Sequence, residues 1–332
     1  MKVDVHAHCY PKPYMETLRK IGIDEGGGVG IKIPEWTSSE EHIAKMDALD
    51  IDVQVLSLSA PNVYFRDAEL SRDLAQTTNE FLSEICRKNP DRFLSFASVP
   101  LNNLNHAVDE LHRAINDLDM DGVVLGTNIN QRSLSDDQFL PFFEELNKMK
   151  IPIALHPMRA IGENLMSAED AKLNIPSNVG FLFETTRTIA QMTFKGIFEN
   201  YKNLTFILSH AGGAIPFVYP RWDITYLARP EAHPVKNIPH LPSHYLKRHY
   251  YDTALAYYPS SLRCTLDLAG VDHILLGTDA PYSMIDYRAK DTIEKIEQYG
   301  FSKEEKEKIY SQNATRLFPR IRSVRKNRRA KH

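Results

Sequence analysis

The chain has 332 residues, is 42% hydrophobic and 25% charged, and carries a formal net charge of −3. That is ordinary for a soluble globular protein with a sizeable core, and no apolar stretch is long enough to span a membrane. A strand-like segment stands at its start, so no secretory signal is expected, and Cys9, Cys86 and Cys264 are scattered and odd in number, which argues against a disulfide framework and fits a reducing cytoplasm.

Short apolar, β-branched runs recur along the chain, each followed by a helix-like segment. The strand candidates are "KVDVH" at 2–6, "VQVLSL" at 53–58, "FLSFASV" at 93–99 and "GVVLG" at 122–126. They continue with "IPIAL" at 151–155, "LTFILS" at 204–209, "YYDTA" at 250–254 and "HILLG" at 273–277. Most are near-continuous apolar runs, as strands buried on both faces require. Between them, "TSSEEHIAKMDALD" opens with a capping cluster and spaces Ile43, Met46 and Leu49 by threes; "LNHAVDELHRAINDLD" repeats Val108, Leu111 and Ile115 at helical spacing. The rhythm predicts an α/β chain folded as one (β/α)8 TIM barrel over 1–318.

Two stretches interrupt the rhythm. Residues 10–36 form an insertion after strand one; its "EGGGVG" lacks the Gly-Lys-Ser/Thr of a phosphate loop and reads as a flexible loop. Residues 157–183 form a long connection after strand five, the kind of βα loop that builds barrel active sites. The basic end, 319–332, shows no apolar face and reads as a solvated tail, with no nucleic-acid contact expected.

The ends of the strands carry the chemistry. His6 and His8, two residues apart in an extended segment, point the same way. Strand five ends in "ALHP" with His156, strand six in "LSHAGG" with His210, and strand eight in "LLGTDAP" with Asp279. An isolated His-X-His is as compatible with one packed and one solvated ring. Five potential ligands or acid–base groups at the catalytic edge of a barrel point instead to a metal site. The other histidines fall in helix-like segments, loops or near strand starts, where a solvated or structural role is the expectation.

With those residues in place, the chain resembles the amidohydrolase superfamily, marked by His-X-His on strand one, histidines on strands five and six and Asp on strand eight. "IPEW", "HPMR", "ETTRTIAQMTFKGIFENYKNLTFILSHAGG" and "LLGTDAPY" narrow the resemblance to the branch of aminocarboxymuconate-semialdehyde decarboxylase, closest to its 6-methylsalicylate decarboxylase-like members. The resemblance implies one divalent metal and no organic cofactor. The ion is usually zinc and sometimes manganese, held by His6, His8, His156 and Asp279, with His210 beside it. Where two-metal relatives place a modified lysine after strand four, this chain has Gly126-Thr127-Asn128.

Two positions depart from the semialdehyde decarboxylase. His42 stands in place of an arginine that holds a substrate carboxylate, and Ser177 in place of a tryptophan. Arg221 and Arg229 match family arginines. One such arginine reaches the neighbouring subunit's site, so Arg229 implies a homodimer and a role in orienting an anionic group. Tyr282 either lines the pocket or packs; Glu184 either orients a ligand or closes a helix.

The expected function is metal-dependent, non-oxidative decarboxylation of a small aromatic or conjugated acid of the 6-methylsalicylate type. Asp279, or His210 through a water, would deliver the proton. The same ligands also serve a hydrolase or hydratase acting on a lactone, amide or unsaturated acid. A non-catalytic binding protein is the third reading.

Overall fold

The computed structural model describes residues 1–23, 32–162, 168–228, 238–284 and 287–324. Eight parallel strands follow one another in chain order. They are β1 (Val3–His8), β2 (Val53–Ser57), β3 (Phe93–Ser98), β4 (Gly122–Gly126), β5 (Pro152–His156), β6 (Thr205–Leu208), β7 (Tyr250–Asp252) and β8 (Ile274–Leu275). The ring closes from β8 to β1: Val5 N donates to Leu276 O at 2.9 Å, and His8 N to Ala280 O at 2.6 Å. This is the expected (β/α)8 barrel, and each strand lies within two residues of its sequence reading. A two-residue antiparallel hairpin, Asn128–Ile129 with Arg132–Ser133, is added after β4.

The main helices are α1 (Lys12–Lys20), α2 (Ser39–Ala48), α3 (Ala68–Lys88), α4 (Leu104–Asn116), α5 (Leu140–Met149), α6 (Phe181–Phe194), α7 (Ile215–Ala228), α8 (Pro259–Ala269) and α9 (Arg288–Gln298). Short polar side chains start several of them. Ser38 accepts from Glu41 N, Asp67 from Glu69 N and Leu70 N, and Asn103 from His106 N, each satisfying an otherwise orphaned amide. The insertion at 10–36 is not all loop. Its α1 buries Tyr14, Met15 and Leu18, whose spacing makes one apolar stripe. The glycine stretch within it, residues 25–30, lies outside the described residues.

The barrel's interior has two halves. At the strand starts Val3, Val5, Val53, Val55, Leu94 and Phe96 pack with side chains from β4, β6, β7 and β8, and Phe318, Ile321 and Val324 join the same cluster. The segment read as a solvated tail therefore begins as a plug. Ile321 and Val324, three residues apart, do share an apolar face, and Arg320 fixes the segment by donating to Asp119 O at 2.7 Å and pairing with Asp121. Residues 325–332 lie outside the described residues. Among the described residues no helix is long and apolar enough to cross a membrane.

The register of β1 decides what the other half holds. Val3 pairs Val53 and Asp4 pairs Gln54, but the next pairs are Ala7 with Leu56 and His8 with Ser57. One extra residue is thus accommodated in β1, a bulge that reverses which side chains face inward. Before it, Val3 and Val5 face the interior; after it, Ala7 packs outward with Met46, Leu56 and Ala97. Strict alternation from Val3 would turn His6 and His8 out of the barrel. The bulge turns both in.

Candidate metal centre

His6, His8, His156 and Asp279 come together as four buried side chains whose ligand atoms all lie within 4.8 Å of one another. His6 Nε2 is 3.0 Å from His8 Nε2, and Asp279 Oδ1 lies 3.4 Å and 3.2 Å from those two atoms. The His156 ring sits edge-on to both, at centroid distances of 5.5 and 4.9 Å.

The far nitrogen of each ring is fixed. His6 Nδ1 donates to Asp252 Oδ2 at 2.8 Å, His156 Nδ1 to Pro157 O at 2.9 Å, and His8 Nδ1 to Ser57 Oγ at 3.2 Å, whose own proton goes to Ala7 O. A carboxylate and a carbonyl only accept, so these bonds set the tautomers. In neutral rings every Nε2 then presents a lone pair. Three such nitrogens and a carboxylate oxygen facing one small space repel each other unless a cation stands among them. The donor set fits one divalent ion with bonds of about 2.0–2.2 Å, and the outer hydrogen bonds are those that orient metal-bound imidazoles.

Electrostatics agree. Burial opposes a charge on His6, but the charge and hydrogen bond of Asp252, with Asp279 and Asp4 behind it, push its pKa up to about 9. Positive charge at this point is therefore favoured, and a metal must displace a proton to supply it. Burial lowers His8, and burial with the surrounding histidines takes His156 well below the ordinary range. Burial acts to raise Asp279, yet the His8 hydrogen bond and the nearby histidines hold it below the usual carboxylate value.

His210 stands beside this group. Its ring centroid is 5.1 Å from that of His6 and 5.8 Å from that of His156, and burial followed by the neighbouring His6 lowers it to about 4. His210, Ala211, Gly212 and Gly213 all have positive φ. A Cβ at Gly213 would meet Leu182 O at 2.1 Å, so the second glycine of "SHAGG" is demanded by both conformation and space. The His210 amide is tied at 2.9 Å to Asp252 Oδ1, the other oxygen of the carboxylate that orients His6. Gly277 serves the same joint: a Cβ there would lie 2.9 Å from the Cβ of Asp252 and 3.0 Å from that of His6.

The centre opens into a cavity of about 720 Å³ lined by His156, His210, Asp279, Tyr282, Phe181 and Arg288, among others, with Ser177 also on its wall. Tyr282 is at its edge, its hydroxyl 3.0 Å from that of Tyr10, which also bonds Ser59. Three of the substrate-side candidates do not line it. His42 is buried outside the barrel wall, stacked on Trp36 and bonded to Gln54 Oε1 at 2.6 Å; Gln54 in turn donates to Asp4. Glu184 is buried against Asn128 and Arg187, bracing the hairpin after β4. Arg221 is exposed on α7. Arg229 lies outside the described residues.

The sequence reading passed over Asp252, although it too ends a strand, and over Asp4. The Asp4 carboxylate accepts from His6 N, Thr278 N, Thr278 Oγ1 and Gln54 Nε2, pinning β1 to the loop that carries Asp279.

Comparison with known proteins places this architecture. Residues 3–320 match the family model described as Amidohydrolase. The 2-amino-3-carboxymuconate-6-semialdehyde decarboxylase of Dictyostelium discoideum is 29% identical over 95% of this chain and 90% of its own length. The 6-methylsalicylic acid decarboxylase of Penicillium expansum is 27% identical over 97% of this chain and 98% of its own. The crystal structure of 5-carboxyvanillate decarboxylase LigW from Sphingomonas paucimobilis superposes with a TM-score of 0.86 at 21% identity, covering 96% of this chain and 98% of that one. The chain belongs to the amidohydrolase family. Within it, the chain is an enzyme of the carboxy-lyase branch to which those relatives belong.

Proposed function

We propose that the protein removes carbon dioxide, without oxidation, from a small aromatic or conjugated carboxylic acid, with a hydroxybenzoate of the 6-methylsalicylate type favoured. The observation that carries this is the convergence of three imidazoles and Asp279 on one another, with His156 and Asp279 facing one cavity, in a chain similar along its length to decarboxylases of such acids. His6, His8, His156 and Asp279 hold one divalent ion, zinc first and manganese second, given a donor set of three nitrogens and one oxygen. The bound ion supplies Lewis-acid stabilisation of a substrate oxygen.

The remaining chemistry belongs to side chains. Asp279, ionised at rest, takes the proton of the substrate phenol and delivers it, directly or through a water held by His210, to the ring carbon that bears the carboxylate. The carbon–carbon bond then breaks, its electron pair restores the aromatic ring, and solvent returns a proton to the product phenolate. Tyr282 bounds the ring's position. Arg229 orients the anionic group from a second copy of the chain in a homodimer. The exposed apolar residues of α7, just before Arg229, support that arrangement: Phe217, Ile224 and Leu227 are 78, 65 and 67% exposed in the single chain. Three free cysteines, two of them buried, fit a cytoplasmic setting.

The test is turnover of 6-methylsalicylate and related hydroxybenzoates by metal-loaded protein in deuterium oxide. Carbon dioxide release with deuterium at the vacated ring carbon is expected. Hydrolysis of lactones or amides, with no carbon dioxide from any aromatic or conjugated acid, would overturn the reading.

A further inference from the structure

The cavity holds a cation that the sequence reading did not single out. Among its described lining residues Arg288 is the only lysine or arginine. It is half-buried, and its Nη2 donates to the carbonyl oxygen of Tyr282 at 2.8 Å. That bond ties the guanidinium to the residue three positions after Asp279, whose ring lies 6.0 Å from that of His8. Arg288 is also the first residue of α9, so its backbone is fixed by the helix that follows. The rest of the wall suits an aromatic ring carrying polar groups: Phe181 and Leu182 are apolar, while Ser260, Ser261 and Thr265 bring hydroxyls from α8.

We propose that Arg288 binds the carboxylate of an anionic substrate, and so sets this enzyme's preference for acids over their neutral analogues. The proposal rests on the decarboxylase reading for the nature of the substrate. A planar guanidinium at a partly desolvated wall is the strongest side-chain partner for a carboxylate, and being held by the Tyr282 carbonyl reduces what ordering it costs. Unlike Arg229, it comes from the same chain as the metal ligands.

The experiment is calorimetric binding of 2-hydroxybenzoate and 2-hydroxybenzamide to metal-loaded wild-type, Arg288→Met, Arg288→Gln and Arg288→Lys proteins. Wild type is expected to prefer the acid. Met and Gln should weaken binding of the acid by about 10- to 100-fold, the scale of one charge-assisted contact, with the amide nearly unchanged. Lys should keep part of the preference. Equal weakening of both ligands would assign Arg288 a structural role through Tyr282 and overturn the proposal, as would no change, or a wild type indifferent to the charge. Gln supplies the answer should Met fail to fold. Carbon dioxide release by wild type is followed alongside. Arg288-dependent binding without release would remove the decarboxylase reading and leave the role of Arg288. Release with the acid preference intact in every variant would do the reverse.

Discussion

Asp252 and His210 act on the same centre by different routes, and substitution separates them. Asp252 touches no metal position; it holds His6 Nδ1–H with one oxygen and the amides of His210 and Ala254 with the other. His210 stays outside the group of four whose ligand atoms converge. Asp252→Ala should therefore lower metal affinity by about 10- to 100-fold, the usual cost of removing a partner that orients a ligand. His210→Ala should keep its metal and lose about 10² or more in turnover, the scale of general acid–base help. Chelator-competition titration beside turnover distinguishes them. Metal loss in His210→Ala matching its loss of activity would make His210 a ligand, and undiminished affinity in Asp252→Ala would reduce Asp252 to packing.

Elements are joined in places that no run of residue types announces. The seam between β6 and β7 closes around His249, fully buried, its ring 4.4 Å from that of Phe198 and 5.6 Å from that of Phe206. Burial, with Arg248 and His273 nearby, lowers its pKa from 6.5 to about 3. The folded value lies below the unfolded one, so between them the unfolded chain binds a proton that the folded chain refuses. The contribution is whole above pH 6.5 and is lost as pH falls towards 3. His249 alone should withdraw about 2–3 kcal/mol between pH 7 and 4.5 at 1.36 kcal/mol per unit. Urea unfolding at those two pH values should show wild type losing that much more stability than His249→Met; equal losses would place the acid sensitivity elsewhere. The barrel itself was legible because doubly buried parallel strands must be apolar runs, and the convergence of His6, His8, His156 and Asp279 because barrel chemistry sits at strand ends. Asp252 escaped because "YYDTA" was read as strand through 254, which put the carboxylate mid-strand, whereas β7 ends at Asp252. The β1 bulge escaped because period two says that His6 and His8 share a side but not which side faces in. His42 and Glu184 were placed by matching positions, and a matched position does not fix which way a helix face turns. The plug formed by Ile321 and Val324 was masked by the arginines around it.

At the scale of the whole molecule, one end of the barrel is filled by apolar side chains and the C-terminal plug, and the other carries the polar centre and its cavity. Chemistry is thereby confined to the face where the loops are, and α7 rises on that side with an apolar surface that the chain leaves uncovered. Its inner side chains Ile215 and Pro216 are buried, while Phe217, Ile224 and Leu227 face outward, together with Phe183 of α6, which is 58% exposed. In the proposed homodimer a second copy would cover this surface, and Arg229, the next residue in the chain after α7, would serve the neighbour's site. Sedimentation should find a dimer for wild type and a monomer for Ile224→Asp. Complementation then asks whose site Arg229 serves. Arg229→Ala and His156→Ala chains should each be inactive alone. Mixed and allowed to exchange, half their dimers pair one chain of each kind, and in each such dimer one site has both an intact metal group and a partner's Arg229. About a quarter of wild-type activity should return, as a symmetric two-site dimer requires. If Arg229 serves its own chain, neither kind of site is complete in any dimer, and mixing restores nothing.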